Sequence, residues 1–157
     1  MKWYSHYDSP LGGILLEADE KGLTGLCFSD REGSVSGRNQ SVFEEALCWL
    51  GLYFSGKDPG FIPAIHLTGS VFQMEVWRIL LDIPYGQTET YGGIAKRIAE
   101  ARGIGRMSAQ AVGGAARCNP IALIVPCHRV LGSRGELTGY AGGVERKRQL
   151  LVLEGIF

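Results

Sequence analysis

The chain has 157 residues, 45% of them hydrophobic, with 16 Lys and Arg against 16 Asp and Glu. That apolar content excludes a disordered chain and suits one or two small packed domains. No apolar run approaches the ~18 residues needed to cross a bilayer, and Met1-Lys2-Trp3-Tyr4-Ser5-His6 is no apolar leader, which predicts a soluble, cytoplasmic protein with no membrane partner. The zero net charge is unevenly spread: residues 1–70 carry five Lys and Arg against nine Asp and Glu, residues 71–157 eleven against seven. Such asymmetry fits a nucleic-acid face on the second half, and equally an ordinary solvated surface. Cys27, Cys48, Cys118 and Cys127 form no C-x-x-C pair, so no disulfide framework is expected in a reducing compartment. Cys27 and Cys48 read as buried small hydrophobes. His6, His66 and His128 supply no ligand set with them, so no metal is expected.

Taken in chain order, Lys2–Tyr7, Ile14–Ala18 and Leu23–Ser29 are short apolar runs separated by Ser9-Pro10-Leu11-Gly12-Gly13 and Asp19-Glu20-Lys21-Gly22, the pattern of hairpin strands. Residues 30–40 are polar and Gly-bearing and read as a loop. Ser41, with Glu44 three residues on, predicts a capped helix through Val42, Ala46, Trp49, Leu50 and Tyr53 that ends near Gly56. A last strand is expected over Ile62–Leu67. The first domain is therefore an α/β domain over 1–68, a small β-sheet plus a helix.

Residues 69–157 read as a second, mainly α domain. Ser70 caps a helix carrying Phe72, Val76, Ile79 and Leu80 at helical spacing, stopped by Ile83-Pro84-Tyr85-Gly86. Thr88 or Thr90 caps the helix Tyr91–Ala99, residues 101–107 connect, and Ser108 caps a helix of very small residues, Ala109–Arg117. Two short helices joined by a Gly-containing turn suggest a helix-turn-helix, though many small helical domains share that pattern. A last helix over 143–154 turns Val144, Leu150, Leu151 and Leu153 inward and Glu145, Arg146, Lys147 and Arg148 largely outward.

The segment Asn119-Pro120-Ile121-Ala122-Leu123-Ile124-Val125-Pro126-Cys127-His128-Arg129-Val130 carries the chemistry. An aliphatic run delivers a Cys-His pair directly after a proline, which stiffens the turn. The adjacent His and a distant carboxylate can lower the thiol pKa so that thiolate forms near neutral pH. The alternative is a buried Cys beside a surface His.

Pro126-Cys127-His128-Arg129-Val130 resembles the active-site motif of the O6-alkylguanine-DNA alkyltransferases. Ala111-Val112-Gly113-Gly114-Ala115, Asn119-Pro120, Gly139-Tyr140-Ala141-Gly142-Gly143 and Leu153-Glu154-Gly155 follow in the family's order, so the resemblance covers residues 70–157. It implies repair of double-stranded DNA by stoichiometric transfer of an alkyl group from O6-alkylguanine, with O4-alkylthymine a second candidate lesion, by a monomer needing no cofactor. On that resemblance Cys127 is the alkyl acceptor and His128 the base that takes its proton through a water. Glu154 orients the His, as in a catalytic triad. Asn119 is the hinge between recognition helix and active-site loop, and Tyr91 stands beside the flipped nucleotide. Val130, Leu137, Tyr140 and Ala141 wall the substrate pocket. Gln110, Ala111, Gly113, Gly114, Arg117, Lys96, Arg97, Arg106 and Arg129 face DNA, with Arg102 a further phosphate contact. Many members carry an arginine finger where this chain has Gln110, and the connector after Tyr91 is longer than in compact members. The glycines of the recognition helix fit close approach to DNA, or tight packing on a neighbouring helix. Three rival readings are a lesion-binding protein without transfer, a Cys-His hydrolase, and a helix-turn-helix transcription factor.

Overall fold

The computed structural model describes residues 1–30 and 40–157. These fall into two compact units, Met1–Thr68 with Pro120–Ile124, and Gly69–Asn119 with Val125–Phe157. Most of the loop expected over 30–40 lies outside the described residues.

In the first unit β1 (Trp3–Ser9), β2 (Gly12–Ala18) and β3 (Leu23–Phe28) form an antiparallel meander in the order β1-β2-β3. The first turn closes because the Ser9 hydroxyl donates to the Gly12 carbonyl at 2.6 Å and accepts from the Leu11 N–H. Gly12 sits at φ 123°, open to glycine and strained for other residues. At the second turn the Asp19 carboxylate accepts the N–H groups of Lys21 and Gly22. Strand alternation buries Ile14, Leu16 and Ala18 of β2 on one face. Helix α1 (Gln40–Phe54) buries Val42, Phe43, Ala46, Trp49, Leu50 and Tyr53, a stripe at helical spacing. It begins at Gln40, so Ser41 lies within its first turn and does not cap it. Cys48 falls on the solvent side of α1, and Cys27 points outward from β3. Both are exposed, which overturns their reading as buried hydrophobes.

The strand expected over Ile62–Leu67 reduces to one parallel bridge, Leu23 to Ile65. Pro63 has no N–H to offer a ladder. The rest of that side of β3 is occupied elsewhere: Leu26 bridges Ile121, donating to the Pro120 carbonyl at 2.9 Å and accepting from the Ala122 N–H at 3.0 Å. Residues 120–124, placed in the second domain by the sequence reading, therefore join the first unit. Within them Leu123 holds φ 70°, a left-handed conformation rare outside glycine.

In the second unit α2 (Val71–Leu81) begins with a capping box in which Ser70 and Gln73 bond each other's backbone N–H. Helix α3 (Tyr91–Arg102) is capped by Thr90 and ended by Gly103 at φ 66°. Helix α4 (Ala109–Arg117) is capped by Ser108. The α3–connector–α4 segment has the order of a helix-turn-helix, and the Trp77 indole of α2 donates to the Ala115 carbonyl of α4 at 2.9 Å. A short parallel ladder, β4 (Glu89–Thr90) on β5 (Val130–Leu131), was not foreseen. The last helix is α5 (Val144–Leu153). Its first residue Val144 is exposed and Lys147 is fully buried, the reverse of the sequence reading for both. Among the described residues no helix is long and apolar enough to cross a membrane.

Candidate active site

Cys127, His128 and Arg129 form one 3-10 turn, and all three are buried. The stiff Val125-Pro126 approach sets it up: Cys127 donates its N–H to the Val125 carbonyl at 2.8 Å and Arg129 to that of Pro126 at 3.0 Å. Strand β5 follows at once. Because β4 runs parallel to β5 and leads into α3, the ladder brings Tyr91, the first residue of α3, next to the residues that follow the turn.

Asn119, just past the α4 C-cap, spends its side-chain amide on this turn, donating to the Val125 carbonyl at 2.7 Å and to Cys127 Sγ at 3.2 Å. An amide NH2 has two protons, so both bonds can form together. Burial pushes the Cys127 thiol up, while the Asn119 bond and the Lys147 charge pull it down without cancelling the rise. The net direction is upward, where the sequence reading expects the imidazole and a carboxylate to lower the thiol pKa.

His128 faces Glu154 instead. Its Nε2 lies 2.5 Å from Glu154 Oε2, with both side chains fully buried. Glu154 Oε1 accepts from Arg129 Nε at 2.8 Å and from the Gly86 N–H at 3.0 Å. Burial alone would raise this carboxyl, but the His128 bond and charge, the Arg129 charge and the Gly86 N–H outweigh it and hold Glu154 down to about 2. It is therefore ionised. Burial pushes His128 below its ordinary value despite the carboxylate, so the imidazole is neutral. An ionised carboxylate only accepts, so Nε2 carries the proton and Nδ1 is the basic nitrogen.

A second network stands at Tyr91. Lys147 Nζ donates to the Thr138 carbonyl at 2.8 Å and to the Tyr91 hydroxyl at 3.3 Å, and lies 5.5 Å from the Tyr91 ring centre. The Tyr91 hydroxyl donates to the same carbonyl at 3.2 Å. Burial pulls the Lys147 ammonium down to about 8, although the Cys127 charge acts to raise it. Burial, then the Cys127 charge, lift the Tyr91 phenol, so it stays protonated at neutral pH. Beside this network lies a cleft of about 520 Å³ lined by Tyr91, Gly92, Ala109, Gln110, Gly113, Arg117, Gly132, Ser133, Thr138 and Gly139.

Residues 71–156 match the model of the 6-O-methylguanine DNA methyltransferase DNA-binding domain, and residues 2–62 that of the same family's ribonuclease-like domain. The chain belongs to the 6-O-methylguanine DNA methyltransferase family. A methylated-DNA–protein-cysteine methyltransferase of Methanosarcina acetivorans is 43% identical over 98% of both chains, and that of Mycolicibacterium paratuberculosis 46% identical over 96% of this chain and 91% of the relative. The crystal structure of Mycobacterium tuberculosis O6-methylguanine methyltransferase matches with TM-score 0.80 at 42% identity, covering 98% of this chain and 93% of that one. The M. tuberculosis protein in complex with DNA matches with TM-score 0.81 at 43% identity, covering 96% and 91%.

In this member of the family Cys127, His128, Glu154, Asn119 and Tyr91 thus come together in one unit. Of the expected pocket wall, Val130 and Tyr140 are buried, Leu137 is half-buried and Ala141 is exposed. None of these four, and not Cys127, lines the cleft at Tyr91. Lys96, Arg97, Arg106 and Arg117 are exposed, as are Gln110 and Ala111, while Gly113 and Gly114 are half-buried. Arg129, expected to face DNA, is buried. Its guanidinium donates to Glu154 and, at 2.8 Å, to the Ile83 carbonyl, and lies over the Tyr85 ring, because a buried arginine needs an anion and filled donors. Arg102 is likewise held by Glu75 at 3.2 Å and lies over Phe72. Sequence reasoning missed Lys147. The signal was its position three and four residues before Leu150 and Leu151, on the buried stripe of α5.

Proposed function

We propose that this chain repairs double-stranded DNA by moving an alkyl group from O6 of guanine to Sγ of Cys127, once per chain. What supports this reading is a buried thiol on the same turn as His128, in a unit that holds two hydrogen-bond networks. In one the ionised Glu154 fixes the His128 tautomer, and in the other Lys147 backs the Tyr91 hydroxyl. His128 Nδ1 takes the thiol proton through a water, and the resulting imidazolium is stabilised by Glu154. The thiolate attacks the alkyl carbon; the S–C bond forms as the C–O6 bond breaks, and the bonding pair leaves with guanine. The Tyr91 hydroxyl donates a proton to the departing base, and the Lys147 ammonium restores the phenol. A thioether does not exchange like a disulfide, so the product is final. The reaction needs no metal or organic cofactor, and the chain acts as a monomer.

The alkylated nucleotide must leave the duplex to reach this sulfur. Lys96, Arg97, Arg106 and Arg117 serve as phosphate contacts, since none is tied to a carboxylate among the described residues. Gln110 and Ala111 meet the groove with Gly113 and Gly114. A Cβ on Gly114 would meet nothing within 4 Å, and one on Gly113 only the Tyr91 ring at 3.8 Å, so internal packing does not require these glycines. Their bare face suits close approach of DNA. Val130, Leu137, Tyr140 and Ala141 wall the pocket of the flipped base.

The test is incubation with duplexes carrying O6-methylguanine or O4-methylthymine, followed by peptide mass mapping. One methyl group per chain, on Cys127, is expected with O6-methylguanine, and the second duplex measures lesion preference. An unmodified Cys127 after full exposure to O6-methylguanine DNA refutes the reading.

A further inference from the structure

Tyr140 is buried to 9% exposure, and its hydroxyl oxygen has no hydrogen-bond partner among the described residues. A buried hydroxyl without a partner is destabilising and rare in native proteins. The reaction proposed above uses the Tyr140 ring as pocket wall and leaves its hydroxyl without a task. The backbone around it is fixed, because Gly143 donates its N–H to the Tyr140 carbonyl at 3.0 Å in a turn that leads into α5.

Tyr140 lies in the same compact unit as the buried Cys127, and its electrostatics agree with a tie to that sulfur. Burial, then the Cys127 charge, push the Tyr140 phenol well above its ordinary range, and only Arg146 acts against them. Cys127 is the anionic neighbour for Tyr91 and Lys147 as well. The Cys127 charge is thus felt by Tyr91 of α3, Lys147 of α5 and Tyr140 of the 137–143 segment. Asn119 donates directly to the sulfur at 3.2 Å. A neutral thiol is a weak acceptor, whereas a sulfur anion in a dry site calls for several donors.

We propose that the Tyr140 hydroxyl is a hydrogen-bond donor reserved for the Cys127 sulfur anion, closing on it in direct contact or across one water when the thiol ionises. The phenol keeps its proton throughout, so it serves only as a donor. Tyr140 is then a catalytic residue that joins Asn119 in stabilising the nucleophile. This inference rests on Cys127 being the nucleophile, but its test uses the free full-length chain without DNA.

The experiment is Tyr140→Phe, with the rate of Cys127 alkylation by iodoacetamide followed from pH 6 to 10 by peptide mass mapping, which separates Cys127 from the exposed Cys27, Cys48 and Cys118. Losing one donor to the anion raises the thiol pKa, and a more basic thiolate is also more nucleophilic, with a Brønsted slope of about 0.4–0.5. The two effects oppose each other at neutral pH. For a rise of about one unit the variant is about threefold slower at pH 7, and the deficit narrows as pH rises into the thiol's own range. Profiles that superimpose overturn the proposal. So does a variant slower by one constant factor at every pH, which would report access rather than ionisation. 3-Fluorotyrosine at position 140, a stronger donor of nearly the same shape, is expected to shift the profile to lower pH, and no shift there counts equally against it. Removing an unpartnered buried hydroxyl leaves Tm unchanged or higher. Loss of alkyl transfer from DNA with unchanged iodoacetamide profiles would retain the repair reading and discard this one.

Discussion

Replacing Lys147 with methionine tests whether this buried lysine serves the reaction or the fold. The ammonium is fully buried and its pKa is pulled from an ordinary 10.5 to about 8. That difference corresponds to about 3 kcal/mol at neutral pH, the free energy by which folding disfavours the charged form. The sign follows from linkage: the unfolded chain binds this proton more tightly than the folded one. The penalty is therefore fully present below about 8 and is relieved as pH rises toward 10.5. Methionine fills a similar volume without the charge. It gives up the 2.8 Å bond to the Thr138 carbonyl, but that carbonyl keeps the Tyr91 hydroxyl as donor at 3.2 Å. Offsetting a charge-assisted bond of about 1.5–3 kcal/mol against the relieved burial leaves Lys147→Met up to about 1.5 kcal/mol more stable at pH 7. Urea unfolding followed by tryptophan fluorescence at pH 7, 8.5 and 10 reads this directly. Wild type gains on the variant as pH rises, by up to about 3 kcal/mol in all. Alkyl transfer by the variant falls by one to two orders of magnitude, because Tyr91 loses the group that restores its proton. A variant less stable than wild type by the same margin at every pH would show that Lys147 is a structural tie, and the argument from burial would fail.

Other expectations concern the remaining groups. Cys127→Ser abolishes transfer while leaving affinity for an O6-methylguanine duplex within about twofold by fluorescence anisotropy, since the thiol is buried off the exposed basic face. Glu154→Gln slows transfer and lowers stability by about 3–5 kcal/mol, because it leaves the Arg129 guanidinium buried without its anion. Glu154→Gln combined with Arg129→Met recovers part of that stability in urea unfolding without recovering transfer, and a strictly additive double variant would contradict the pairing. Arg117→Ala weakens binding to all duplexes alike and reduces the slope of log K against log salt by about 1, whereas Arg129→Met leaves that slope unchanged.

Much of the fold was legible because its signals are local. Ser70, Thr90 and Ser108 each cap the helix that follows, whereas α3 runs past the expected Ala99 to Arg102 before Gly103 ends it. What was illegible depended on distant pairing. Nothing near Ile121 announces that it will bridge Leu26, and an aliphatic run between two prolines reads the same whichever unit it joins. The ladder of Glu89–Thr90 on Val130–Leu131 is two residues long, too short for any periodicity. At the site, Cys127 and His128 stood out by their motif. The roles of Arg129 and Lys147 were misread because charge was taken as a sign of exposure. Each is buried against a partner far along the chain, Arg129 on Glu154 and Lys147 on Tyr91 and Thr138.

The two misread cations bear on how a buried site would carry out the proposed charge-moving reaction. In the proposed transfer one proton leaves the thiol and one reaches the departing base. The two events use separate circuits: Arg129, Glu154 and His128 accept the first, and Lys147 with Tyr91 supplies the second. Arg129 and Glu154 cancel each other, so His128 becomes charged next to an anion already paired at 2.8 Å. Lys147 begins charged and ends neutral, which burial favours, because its pKa of about 8 lies close to physiological pH. The site therefore exchanges one buried positive charge for another, Lys147 for His128, and its net charge changes little between the bound lesion and the thioether. A low-dielectric interior penalises net charge far more than charge moved between paired groups. Water is then needed only as the relay between sulfur and imidazole, so the rest of the pocket can stay dry around the alkyl group.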